Sequence, residues 1–115
     1  MIKRKSDYFT EEKENLRGGE GTIKIEHFLT KEELNNNGRL YAKMIMEPGT
    51  SIGHHLHEGE MEAYYVLSGE AEYDDNGEKV KLYSGDTALT PVGEGHSIKN
   101  TGSTALEIIA LIIFK

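Results

Sequence analysis

Turn signals recur along the chain after Arg39 and leave no room for a long helix. Pro48-Gly49, Glu58-Gly59, Asp74-Asp75-Asn76-Gly77, Ser84-Gly85, Pro91-Val92-Gly93 and Thr101-Gly102 cut the sequence into short segments. The segments between them, at 40–47, 53–58, 61–68, 70–74, 79–83, 86–90, 96–100 and 105–114, read as strands. Asn76-Gly77 predicts a tight hairpin, because a type I′ turn needs positive φ at both central residues. Short strands with such punctuation predict an all-β fold, an antiparallel barrel or sandwich rather than alternating strands and helices.

The N-terminal part differs. Residues 1–22 are polar and charged, ending in Arg17-Gly18-Gly19-Glu20-Gly21, and read as an arm with no core of its own; 23–115 read as the barrel domain. Ile23-Lys24-Ile25-Glu26-His27-Phe28 alternates with period two and predicts a strand. Thr30-Lys31-Glu32-Glu33 has the form of a capping box, but Asn35-Asn36-Asn37-Gly38 limits any helix there to a turn or two.

Ala105 to Phe114 is apolar at nearly every position, so the strand it predicts must be covered on both faces. The barrel interior can cover one face. A second copy of the chain, giving a homodimer, would cover the other; the arm of the same chain is the alternative, and an arm exchanged between subunits would satisfy both.

Charge and composition exclude several classes of function. A formal net charge of −7 argues against nucleic-acid partners, which need clustered cations, and against anionic membranes. With no cysteine, disulfides and thiolate chemistry are ruled out. The N-terminus lacks the apolar core of a secretory leader, and the longest apolar run, Ile108 to Phe114, is too short to span a bilayer. A cytoplasmic location is the expectation.

The stretch Gly49 to Gly69, GTSIGHHLHEGEMEAYYVLSG, carries the chemistry. On a strand, His55 and His57 share one face while His54 takes the other. Glu62 can return to the same place from the next strand, and His96 opens a later one. Three imidazoles and a carboxylate suit Mn, Fe, Ni, Cu or Zn with positions left open, although composition alone also allows a polar, histidine-rich loop. His27, isolated on a remote strand, and His54 are read as ordinary polar residues. The glutamate singled out is Glu62, not the nearer Glu58 or Glu60.

The glycines and proline around these residues favour the metal reading. Gly49 to Gly69 reads G-x5-H-x-H-x4-E-x6-G, and Gly85 to Asn100 reads G-x5-P-x-G-x2-H-x3-N. Together, over residues 40 to 114, these patterns resemble the paired signature of the cupin superfamily, in particular its small single-domain conserved-barrel members and the metal cupins of oxalate-decarboxylase type. The resemblance implies a six- to eight-stranded antiparallel barrel, the double-stranded β-helix or jelly roll, with one divalent transition metal in its mouth. It further implies His55, His57, Glu62 and His96 as the metal ligands, and turn roles for Gly49, Gly69, Gly85, Gly93 and Pro91. Asn100 would help to close a strand end. Mn or Fe is favoured, since an octahedral site with one carboxylate suits them, with Zn or Ni as alternatives.

Counting by twos from Glu62 puts Tyr64 and Val66 on its inward face and Tyr65 and Leu67 outside. Beside the ligands, Tyr64 is therefore the candidate catalytic residue, with His54 the alternative as an acid or base. Two functions remain: a metal-dependent enzyme acting on a small oxygenated molecule (carboxylate, diketone or sugar) by decarboxylase, dioxygenase or isomerase chemistry, or a non-catalytic small-molecule binding or sensor module. Oxalate would call for a cation near the metal. Arg4, Arg17 and Arg39 all lie outside the motifs, with Arg39 or Lys43 able to serve only if inward-facing, and this argues against oxalate.

Overall fold

The computed structural model describes all of residues 1–115 and contains ten strands, with two single-turn 3₁₀ segments near the N-terminus. In chain order the strands are β1 (Phe9–Glu14), β2 (Thr22–Leu29), β3 (Gly38–Met46), β4 (Ser51–Leu56), β5 (Glu60–Ser68), β6 (Glu70–Asp75), β7 (Glu78–Tyr83), β8 (Thr87–Thr90), β9 (Gly95–Lys99) and β10 (Leu106–Phe114). They form two antiparallel sheets. One has the order β1-β2-β3-β10-β5-β8 and the other β4-β9-β6-β7. No helix is long and apolar enough to cross a membrane.

Alternation explains which residues meet between the sheets. Leu40, Ala42, Met44 and Met46 of β3 face Leu106, Ile108, Ala110 and Ile112 of β10 in register, and all eight are buried. On its other edge β10 sets Ala110 beside Tyr64 and Ile112 beside Glu62 of β5. Ile98, Ala71 and Tyr73 close the core from the second sheet. Each of the larger apolar side chains stabilises the fold by roughly 1.5–3 kcal/mol through its burial.

The expected turns are present. Asn76 and Gly77 both have positive φ (51° and 101°), and Asp75 pairs with Glu78 across the hairpin. The capping box at Thr30 forms in both directions: Thr30 N–H donates to Glu33 Oε1 (2.8 Å) and Glu33 N–H to Thr30 Oγ1 (3.2 Å). It closes a single turn, as the asparagine run requires. Asn100, buried, donates to the carbonyls of Met46 and Thr104 (2.8 Å each) and ties the end of β9 to β3.

The arm holds more structure than its composition suggested. Phe9–Glu14 is an edge strand paired with β2 of its own chain, its charged side chains suiting a sheet edge. Just before it, Tyr8 packs edge-on against Phe28, and Phe28 against Tyr41, with ring centroids 5.2 and 5.0 Å apart. The arm thus covers one end of the outer face of the large sheet. Tyr65, Leu67, Leu89 and Ile113 of that face stay exposed.

Candidate metal centre

A β-bulge aims the histidines. Ile52 pairs with Ile98 and His55 with His96, so three steps along β4 match two along β9. The extra residue lets both Ile52 and His55 face inward, and His54 is left on the exposed side. His57 lies just past the end of β4. Its N–H donates to the Glu94 carbonyl (3.0 Å), and its own carbonyl accepts from Gly93 N–H (2.7 Å), which holds it beside the loop leading to β9.

His55, His57, Glu62 and His96 are brought together, with donor atoms all within 4.8 Å of one another. The three Nε2 atoms are 3.1 Å (His55–His57), 3.0 Å (His57–His96) and 3.1 Å (His96–His55) apart. Glu62 Oε1 lies 3.0 Å from Nε2 of both His57 and His96.

Each imidazole is held from behind. His55 Nδ1 donates to the Gly53 carbonyl (2.8 Å) and His57 Nδ1 to Glu60 Oε2 (2.6 Å). His96 Nδ1 meets the hydroxyls of Tyr73 (2.9 Å) and Thr90 (2.8 Å), which also bond each other. A neutral ring that gives its proton at Nδ1 presents a bare lone pair at Nε2. Lone pairs and a carboxylate oxygen crowded at 3.0–3.1 Å need a positive centre among them: a proton satisfies one pair, a metal ion all four donors. Metal–ligand bonds of about 2.1 Å put neighbouring corners of an octahedron ~3.0 Å apart and those of a tetrahedron ~3.4 Å apart. The spacing fits a single divalent ion in the octahedral manner.

The electrostatics shows which donors would share a proton in that positive place. Burial pulls His55 down to about 4, so its ring is neutral at neutral pH. The hydrogen bond to Glu62 raises His57. Burial pushes the Glu62 carboxyl up, but hydrogen bonds from His57 and His96 outweigh it and leave the group below its ordinary value. Glu60 is drawn down to about 2, chiefly by Arg39, whose guanidinium grips it with Nε and Nη2 at 2.7 and 2.8 Å.

Glu60 is not among the clustered donors, as the sequence reading expects, but it has a role that reading does not supply: it links Arg39 to His57. Counting backward by two from Glu62 would have found it on the inward face. Tyr73 and Thr90 were also missed; Tyr73 shares the inward parity of Ala71. Tyr64 lies where parity put it, buried and stacked on His96 (centroids 5.1 Å apart), and burial holds its hydroxyl well above the usual tyrosine range.

Above the donors opens a cavity of about 340 Å³, lined by β1, β2, β3 and the 16–17 turn as well as by the histidine strands. His27, read from sequence as remote, lines it and pairs with Glu11 at 2.6 Å. Arg17 and Arg39 line it too, so the absence of arginine from the motifs does not keep arginine from the site. Lys43 does not line it, and pairs instead with Glu26 and Glu107.

A two-sheet antiparallel barrel with three histidines and a glutamate converging in its mouth is the architecture of a cupin. The family model for the cupin domain matches residues 42–113, and the chain belongs to that family. It is 48% identical to an oxalate-binding protein of Thermotoga maritima, over 98% of this chain and 93% of that one. A crystal structure from the same organism, described as a predicted oxalate decarboxylase, superposes with a TM-score of 0.94 at 47% identity and covers 100% of both chains. The cupin domain of an XRE-family transcriptional regulator from Enterobacter cloacae shares the fold, with a TM-score of 0.66 and 22% identity over 81% of this chain and 95% of that one.

Proposed function

We propose that this protein is a metal-dependent cupin enzyme that binds one divalent transition metal through His55, His57, Glu62 and His96 and acts on a small carboxylate. The observation that carries the reading is the set of four donors with octahedral spacing on the floor of a cavity. Glu62 Oε1 lies 3.0 Å from Nε2 of both His57 and His96. The four side chains would hold the ion, and four donors would leave a six-coordinate ion room for oxygens of a small ligand. The spacing favours Mn or Fe over tetrahedral Zn. When bound, the ion would supply Lewis-acid polarisation of a ligand oxygen.

The chain's own residues divide the remaining work. His55 and His96 keep their Nδ1 atoms engaged and so keep Nε2 directed inward. Glu62 supplies the negative charge of the donor set. Tyr64, which retains its proton, is the candidate catalytic residue as a hydrogen-bond donor to a ligand oxygen. Among carboxylates, diketones and sugars, the first is favoured by the arginines at the cavity and by the oxalate-binding relative.

A second reading has support of its own. The cavity offers no general base beyond the donors and the His27–Glu11 pair, and a non-catalytic binding module would need none. Metal analysis with an activity screen over small carboxylates, diketones and sugar phosphates under air separates the two. Metal-dependent turnover supports the enzyme, and binding without turnover supports the module.

The exposed apolar residues of β5, β8 and β10 are proposed to pack against a second copy, giving a cytoplasmic homodimer of barrels (23–115), each with its arm (1–22). Leu111→Glu should convert a dimer to a monomer in light scattering. A wild type that is monomeric at micromolar concentration overturns this.

A further inference from the structure

The loop between β1 and β2 is clamped across the histidine strand. Glu20 carbonyl accepts from Ser51 N–H and Glu20 N–H donates to Ser51 Oγ, both at 2.9 Å. Leu16 packs on the core. Gly53 has no room for a Cβ because the Arg17 carbonyl lies against it, and Gly19 has none because of the Ser51 carbonyl. The backbone of residue 17 is thereby fixed over β4, two residues before His55.

At that fixed point the chain carries an arginine in a conformation that does not suit one. Arg17 has φ 54° and ψ 32°, in the left-handed region where Gly and Asn are at home. Such positions cost stability, persist where the surrounding structure over-determines them, and cluster at active sites and ligand clamps. Three cations line the cavity. Lys13 pairs with Glu11 at 3.4 Å and Arg39 with Glu60, whereas Arg17 has neither an ion pair nor a side-chain hydrogen bond. In a chain of net charge −7, it is the one cavity cation with its whole guanidinium fork available.

We infer that Arg17 is the anion receptor of the site, binding the carboxylate oxygens of a small dicarboxylate that point away from the donor cluster, and so selects dianions over monocarboxylates. This rests on the carboxylate reading above. A guanidinium gripping a carboxylate in bidentate fashion supplies both affinity and orientation. The loop would thus set specificity while contributing no metal donor.

The test is calorimetric titration of oxalate and of acetate into the full-length, Mn-loaded protein, with metal content measured in parallel. Arg17→Ala should keep its metal and bind oxalate about 10- to 100-fold more weakly, with acetate little changed. Arg17→Lys should recover part of the loss, as charge returns without the fork. Lys5→Ala, which removes one charge from an exposed site, should match wild type. Arg17→Gly relieves the left-handed strain, so it should melt no lower than wild type while losing the same oxalate affinity, a pattern that a purely structural role would not give. Equal oxalate affinity in wild type and Arg17→Ala overturns the inference and leaves the carboxylate reading intact. A metal-loaded wild type that binds no oxalate overturns both.

Discussion

The floor of the site and its wall are built on different principles. On the floor every imidazole has its rear nitrogen held, and throughout the protein no buried side-chain nitrogen or oxygen lacks a partner. The wall, formed by β1, β2 and the turn between them, is half-exposed and carries charged groups, with Arg17 unpaired. The family match at 42–113 contains the whole floor and none of the arm. Holding a metal needs an over-determined geometry, because donors must face one another against their mutual repulsion. Choosing a ligand needs groups that stay free until it arrives. The candidate donor set thus lies wholly inside the cupin match, and the arm lies outside it.

The largest effect should come from the floor itself. His55→Ala with His57→Ala should reduce bound metal from about one ion per chain to background in elemental analysis, since metal binding depends on the assembled donor set. Full retention of metal would break the assignment.

Glu60→Gln tests the link between wall and floor, because Glu60 connects Arg39 to His57. Losing such an orienting carboxylate typically weakens metal affinity 10- to 100-fold, measurable by competition with a chelator. No change would mean that His57 is held by the loop backbone alone.

Gly53→Ala acts from the other direction. The added methyl meets the Arg17 carbonyl, so the loop must lift at a cost of about 1–3 kcal/mol in denaturant unfolding. If floor and wall are separable, oxalate affinity should fall more than metal affinity.

Acid should expose the Glu60 contact. Its carboxyl titrates near 2 in the fold rather than near 4.5, so the contact stabilises above pH 4.5 and its contribution is lost as pH falls toward 2. In the metal-free protein this loss should be about 3 kcal/mol, and Glu60→Gln should remove that part of the slope. The smallest effect is expected at His54, on the exposed side of β4: His54→Ala should change metal content not at all and stability by under about 0.5 kcal/mol.

Individual residues show how far sequence reading reached. Tyr64, Val66, Tyr65 and Leu67 took the faces that counting by twos assigned, because β5 runs regularly through this stretch. The split of His54 from His55 and His57 also held, since alternation is a local property. Glu60 was passed over because its role depends on Arg39, 21 residues away in the chain, and on a ring whose orientation alternation does not specify. His27 looks remote only in sequence. Pairing of β2 with β3, and of β3 with β10, carries it to the cavity.

By itself the sequence determined the all-β class, the turns and which residues of a regular strand share a face. These follow from period-two alternation and glycine chemistry within a few residues, whereas the four candidate donors came from the resemblance of the paired motif. Tertiary structure alone decided the bulge that turns both Ile52 and His55 inward, the groups behind each imidazole, and the placing of Arg17 over the histidine strand. Those depend on which strands pair and on how closely two backbones can approach, and neither is a property of any single segment.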